Sequence, residues 1–196
     1  MDYIERLDEM HACEDALNFL RSAKYETPQA AWEASRRADW MAWLVVRGGG
    51  PQFKALLVTA FLDCMELILQ YAGAAENASR ETVKIARAWC FGESVTEDLE
   101  EAWNAVSEYV YGPSARIDRD TGAVVDCIRT LMYFIRDYSV HDCDCILREV
   151  GQVLDTKEGR AKGEGLALCA DILRQHIPSP PSFSQMGADG GPHESE

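Results

Sequence analysis

The stretch from Phe53 to Tyr71 constrains the fold of this chain most strongly, because it is the most apolar run in the sequence. At 3.6 residues per turn, a helix over this stretch brings its few polar side chains onto one narrow stripe. The stripe consists of Gln52, Thr59, Asp63, Glu66 and Gln70. Because most of the remaining helix surface is apolar, neighbouring elements must cover it on most sides. We therefore expect a helix about 28 Å long at the centre of the fold.

The polar stripe argues against a membrane span. Asp63 and Glu66 lie inside the apolar run, and charged side chains are costly in lipid. Elsewhere, apolar residues recur at helical spacing between short connections, and no pair of alternating strands is found. Short connections favour neighbouring helices that pack antiparallel. The sequence predicts an all-α, single-domain protein with about eight helices, packed as helical hairpins around the central apolar helix.

Capping and turn residues set the expected boundaries of the outer elements. We expect the first helix at about 8–23 and a second helix capped by Thr27, with Pro28 at its first position. Thr96 is a favourable N-cap for a later acidic helix. Residues 114–122 are polar and predict an exposed loop.

The C-terminal stretch differs from the rest in composition. From residue 179 onward, proline, serine and glycine dominate and few residues are apolar. Such a segment cannot bury enough apolar surface to offset the entropy lost on ordering it. We expect a helical domain over 1–178 and a disordered tail over 179–196.

The charge balance restricts the class of partner. The chain has 19 basic and 33 acidic residues, which gives a net charge of −14. Such a chain repels the phosphates of nucleic acids, so we expect no direct nucleic acid binding. A protein partner with a basic surface is favoured, although acidic residues can also serve only as a solvated helix surface.

The cysteines indicate a reducing compartment. Their number, seven, is odd, and several lie in apolar helical patterns. The charged start of the chain, MDYIERLDEM, lacks the apolar core of a secretory signal. Buried, reduced thiols in a cytoplasmic protein are the expected arrangement.

The tryptophan-rich segment 32–43 is the most distinctive part of the chain. If it is helical throughout, Trp32, Asp39 and Trp43 share one face. A carboxylate on an aromatic face can bind a ligand amine or an arginine, or act as an acid with a raised pKa. Asp39, Trp40 and Trp43 are therefore candidate binding residues.

Structural roles for the same residues are the alternative. Asp39 can cap a new helix that begins at Trp40, or it can pair with a neighbouring arginine, Arg36 or Arg37. The tryptophans would then pack in the core or between helices. The sequence leaves these alternatives open.

Asp63 and Glu66 form a candidate pair of catalytic carboxylates. Three residues apart on a helix, they are neighbours. One helix, however, supplies only half of an acid–base or metal site, and no helix offers a Glu-x-x-His pair to complete a di-iron centre. The alternative is exposure to solvent or pairing with arginines of a neighbouring helix.

The run His141-Asp142-Cys143-Asp144-Cys145 is a candidate metal cluster. On a helix only His141 and Cys145 share a face, whereas a closed zinc site needs about four ligands. We therefore predict no metal and no cofactor, with Cys143 or Cys145 buried and the two aspartates in solvent. The alternative is that the protein is an enzyme, which would use either this cluster or the carboxylates of Asp63 and Glu66.

Three stretches resemble a family of helical proteins from bacteria and phages that are described as immunity proteins. They are ACEDALNFL at 12–20 leading into DWMAWL at 39–44, SRETVKIARAWCFGESVTEDLEEAW at 79–103, and ADILRQHIP at 170–178. Ala38 stands where the family usually has glycine, and SEYVYGPSARIDRDTG replaces a long alanine-rich helix. The resemblance implies a non-enzymatic inhibitor, an immunity or anti-defence factor that neutralises an effector by stoichiometric binding. It implies no catalytic residues.

The helix that begins near Thr96 offers a binding face. Leu99, Trp103 and Val106 recur at the spacing of an inward-facing apolar stripe. The residues expected to stay exposed are Glu97, Glu100, Glu101, Asn104 and Glu108. We predict that this acidic face meets a basic surface on the partner, the alternative being an ordinary solvated helix.

Overall fold

The computed structural model describes residues 3–112 and 118–182, and these ranges contain ten α-helices and no β-strand. The helices are α1 (Tyr3–Glu9), α2 (Glu14–Ala23), α3 (Pro28–Ala34), α4 (Ala38–Gly49), α5 (Lys54–Glu66), α6 (Glu76–Cys90), α7 (Thr96–Tyr111), α8 (Arg119–Asp137), α9 (Val140–Lys157) and α10 (Glu164–His176). The predicted all-α class is confirmed, with ten helices in the described ranges rather than about eight. Within the same ranges, no helix is both long and apolar enough to cross a membrane.

The central position predicted for the apolar run is confirmed, but its length is wrong. α5 packs against α6, α8, α9 and α10, and three of its side chains, Leu57, Phe61 and Met65, are fully buried. It has 13 residues rather than 19, so it is about 20 Å long. Beyond Glu66 the N–H of Ile68 donates to the carbonyl of Met65, three residues back, at 2.9 Å. The α-helical hydrogen-bond pattern therefore gives way to tighter turns, and a 3₁₀ turn at Leu69–Tyr71 follows.

The single helix predicted over 8–23 is also wrong. α1 ends at Glu9 because His11 adopts a left-handed conformation, with φ of 62°. The N–H groups of His11 and Ala12 then donate to carbonyls of the last turn of α1. As a result α1 and α2 pack on each other, and their buried leucines, Leu7, Leu17 and Leu20, form a small core with Ala31 of α3.

The N-cap prediction is confirmed at α3 and wrong at α7. Thr27 Oγ1 accepts a hydrogen bond from the Ala30 N–H at 3.1 Å, with Pro28 as the first helical residue. At α7, Thr96 is already inside the helix, and Val95 precedes it as the N-cap residue. The Val95 N–H donates at 3.1 Å to the carboxylate of Asp98. An acidic side chain from inside the first turn therefore satisfies the start of α7.

Replacing Asp98 with alanine is expected to destabilise the protein by about 1 kcal/mol, the usual cost of a lost helix cap. Thr96→Ala, the change that the sequence alone would select, is expected to cost much less. Urea denaturation of both variants checks this. Equal losses, or a larger loss for Thr96→Ala, would show that Thr96 caps α7 after all.

The loop predicted over 114–122 is shorter than expected. α8 begins at Arg119, and the Asp118 carboxylate accepts hydrogen bonds from the N–H groups of Asp120 and Thr121 at 3.0 and 2.9 Å. This cap allows the helix to include 119–122, the last four residues of the predicted loop. The rest of the predicted loop, 114–117, lies outside the described residues.

The end of the described chain contacts α3, and the predicted division into a domain over 1–178 and a tail over 179–196 stays a prediction. Trp32 Nε1 donates to the carbonyl of Ile177 at 3.1 Å, and Gln29 Nε2 donates to that of Pro178 at 3.2 Å. Pro181 is buried. Of the predicted tail over 179–196, residues 183–196 lie outside the described residues.

Candidate functional site

The acidic helix α7 lies at the edge of the fold, where it packs mainly against α6 and α8. The side chains of Leu99 and Val106 are buried, and the half-buried ring of Trp103 stands 6.2 Å from that of Tyr133 on α8. These contacts orient the helix as its amphipathic pattern predicts. The opposite face is left to solvent.

All five binding residues predicted on α7 are exposed. The helix carries no lysine or arginine, and within the described ranges no ion pair joins Glu97, Glu100, Glu101 or Glu108 to a cation. Carboxylates elsewhere are commonly paired: Glu76 with Arg80 at 2.7 Å is an example on α6. The α7 face therefore carries a negative charge that nothing in the described chain compensates.

Exposed apolar side chains flank the acidic face at both ends. Phe91 and Val95 precede α7 with 68% and 58% of their surface exposed, and Tyr109 and Tyr111 close it with 37% and 59%. Among the described residues only one other large apolar side chain, Leu56, is this exposed. Sequence reasoning missed this clustering, because Phe91 and Val95 stand beside the turn at Gly92 rather than in a helical pattern. Aromatic and apolar residues beside charges are typical of protein-binding surfaces.

A second feature is a groove of about 830 Å³, which we call the aromatic groove. It lies between the α1–α2 pair, α3, α4 and the start of α9, and the predicted binding residues Asp39, Trp40 and Trp43 all line it. Phe19 of α2 faces Trp40 across it, with 5.8 Å between ring centroids. Its volume falls in the range of ligand-binding pockets.

The carboxylate of Asp39 is already occupied inside the chain. Asp39 is 2% exposed, and Arg37 binds it through two hydrogen bonds, from Nε at 2.9 Å and from Nη2 at 2.5 Å. The hydrogen bond to Asp39 raises the pKa of Arg37, whose guanidinium also lies 4.3 Å from the centre of the Trp40 ring. The predicted pairing with Arg37 is thus confirmed. The predicted cap is wrong, because Asp39 is the second residue of α4 and makes no capping bond.

Trp32 does not share a helix face with Asp39 and Trp43, so that hypothesis is wrong. α3 ends at Ala34 and α4 begins at Ala38. Arg174 of α10 binds the carbonyl of Trp32, in the last turn of α3, at 3.1 Å and that of Ser35, in the break, at 2.8 Å. The side chain of Arg174 therefore supplies hydrogen bonds to the carbonyl groups where α3 gives way to α4. Trp32 is 3% exposed and packs in the core, as the structural alternative predicts.

Asp63 and Glu66 are held by an arginine of the neighbouring helix. Arg87 of α6 binds Asp63 at 2.7 Å and Glu66 at 2.6 Å. On the other side His176 Nε2 of α10 lies 2.6 Å from Asp63 Oδ2. The predicted pairing is confirmed, and the cluster links α5, α6 and α10.

The cluster at 141–145 splits as the helical pattern predicts. Cys145 Sγ lies 3.7 Å from His141 Nε2, whereas Cys143 points into the core, where burial raises the pKa of its thiol. Asp142 and Asp144 are half-buried rather than in solvent, and Asp144 pairs with Arg148. In the ranges 3–112 and 118–182, no three His, Cys, Asp or Glu side chains come together to hold a metal ion.

Comparisons of the chain with protein-family models, curated proteins and solved structures give no match. The resemblance to helical immunity proteins therefore stays a prediction. The two surfaces of the described chain that could bind a partner are the acidic face of α7 and the aromatic groove.

Proposed function

We propose that the protein is a non-enzymatic binding protein, whose acidic α7 face docks stoichiometrically on a basic surface of a protein partner. The observation that carries the proposal is the row of exposed carboxylates of Glu97, Glu100, Glu101 and Glu108 on α7, which form no ion pair within the described residues. In keeping with the resemblance to immunity proteins, the partner is an effector that the bound protein neutralises, as an immunity or anti-defence factor.

The α7 face combines two properties that such binding needs. Charges of one sign attract an oppositely charged partner and speed its association. From Glu97 to Glu108 the face is about 16 Å long, and apolar side chains such as Phe91 and Tyr111 extend it at both ends. Aromatic side chains supply contact area that is lost from water on binding. Charge would therefore set the rate of encounter and the aromatic ends would slow dissociation.

An enzyme that uses the acidic or thiol clusters has less support. The carboxylates of Asp63 and Glu66 bind Arg87, and the His141–Cys145 pair has no third metal ligand in the part of the chain that the structure describes. The negative charge of the chain supports a partner other than nucleic acid. Seven free cysteines support a reducing, cytoplasmic location.

Charge reversal on α7 tests the proposal. The wild-type chain and a Glu97→Lys, Glu101→Lys variant are used side by side as bait for affinity capture from the native host. A matched control, Glu26→Lys with Glu33→Lys, makes the same change in net charge at exposed positions beside and on α3. We expect the wild type and the control to capture the same basic protein, and the α7 variant to lose it.

The proposal fails if the folded α7 variant captures the same partner in the same amount as the wild type. Circular dichroism melting of all three baits shows that each is folded. A partner lost equally by the α7 variant and the control would also contradict the proposal, because net charge rather than the α7 face would then decide binding.

A further inference from the structure

We propose that the aromatic groove is the docking site for residues 183–196 of this same chain. The inference is independent of the proposed function, because the groove lies on α1–α4 and α9 rather than on α7. The C-terminal segment would then be an intramolecular ligand of the groove.

The walls of the groove are apolar and incompletely covered. Trp40 and Trp43 of α4 are half-buried there, and Phe19 and Leu20 of α2 stand opposite. The α1–α2 pair has its own small core and meets the body of the protein through side chains such as Trp43 and Leu44. An aromatic surface of this kind gains free energy when an apolar segment covers it.

The described chain ends beside this groove. Hydrogen bonds join Trp32 to the carbonyl of Ile177 and Gln29 to that of Pro178, and Pro181 is buried. Trp32 also lines the groove, so the chain leaves the described structure next to the groove's α3 wall. The residues from 183 to 196 can reach roughly 46 Å at about 3.3 Å per residue, which is more than twice the length of α4.

The sequence of the segment offers two kinds of contact. Its large apolar residues, Phe183 and Met186, precede its acidic residues, Asp189, Glu194 and Glu196. The exposed Arg47 in the last turn of α4 lines the groove and makes no ion pair within the described chain. The segment has too few apolar residues to fold on its own. A weak contact with the groove suffices to hold it, because the chain tethers it there and short links give effective concentrations of order millimolar.

Tryptophan fluorescence of the full-length chain tests the proposal, since 183–196 contains no tryptophan. The variant Phe183→Ala, Met186→Ala removes the proposed anchors, and Ser184→Ala, Gln185→Ala is the matched control. We expect acrylamide to quench the anchor variant at least twofold more efficiently than the wild type. We expect the control to behave like the wild type.

A second measurement identifies the occupant. A synthetic peptide of residues 183–196 is titrated into the anchor variant and into the wild type. We expect saturable binding to the anchor variant, at least tenfold weaker binding of a Phe183→Ala peptide, and no binding to the wild type because its own segment fills the groove. Arg47→Glu, introduced into the anchor variant, is expected to weaken peptide binding.

Three results would overturn the proposal. One is equal quenching of the wild type and the anchor variant, and another is peptide binding of equal strength to both. The third is a wild-type dimer that the anchor substitutions convert to a monomer, because the occupant would then be the segment of a second copy.

Discussion

Replacing Phe61 with aspartate is expected to unfold the protein. Phe61 is fully buried in α5, and its ring meets that of Phe134 of α8 edge to face, 5.1 Å between centroids. Loss of a buried phenylalanine costs about 3–5 kcal/mol, and an unpaired buried charge adds several more. The sum is comparable to the whole stability of a domain, about 5–15 kcal/mol.

Leu56→Asp is the matched control on the same helix, because 42% of the Leu56 surface is exposed. We expect it to cost less than about 1 kcal/mol, as surface substitutions usually do. Circular dichroism at 25 °C and a urea titration compare the two variants. A folded Phe61→Asp variant with the wild-type melting curve would mean that α5 does not occupy the centre of the fold.

Gly165→Ala is the substitution with the next largest expected effect. Gly165 is buried in the first turn of α10, where α10 crosses α9 beside Gly151. An added Cβ would lie 2.9 Å from Gly151 Cα and closer still to the Gly151 carbonyl oxygen. Backbone atoms cannot turn away as a flexible side chain can, so α9 and α10 would have to separate.

We expect Gly165→Ala to lower stability by about 3 kcal/mol, at the upper end of the usual cost of overpacking. In a chain of this size that lowers the melting temperature by roughly 10 °C. Helix propensity alone predicts that alanine would instead raise the stability by about 1 kcal/mol. Calorimetry therefore separates the two effects, with Gln175→Ala on the exposed face of α10 as control. A melting temperature at or above the wild-type value would show that the helices do not approach this closely.

The fold class and the central helix could be predicted because both depend on the spacing of apolar residues. The ends of the helices could not, because they depend on single hydrogen bonds. His11 breaks the predicted first helix by a left-handed turn that non-glycine residues adopt only occasionally. At α7 the sequence predicts Thr96 as the cap, and only the geometry shows that Asp98 binds the Val95 N–H.

The candidate site was predictable in part for the same reason. The acidic face of α7 follows from its amphipathic pattern, and Glu97, Glu101 and their neighbours are exposed as predicted. Trp40 and Trp43 line one groove, although not through the continuous helix that suggested them. Its other walls come from α1, α2 and α9, which are distant in sequence, and no pattern within one segment reveals such a groove.

The most direct test of the central claim is the salt dependence of the association rate between this protein and its captured partner. Stopped-flow mixing gives that rate for the wild type and for the Glu97→Lys, Glu101→Lys variant. We predict one-to-one saturation and a wild-type rate that falls steeply with salt, with a slower rate and a flat or inverted salt dependence for the variant. Identical rates and salt slopes for the two folded proteins would contradict binding through α7, and turnover of the partner by catalytic amounts of protein would contradict stoichiometric binding.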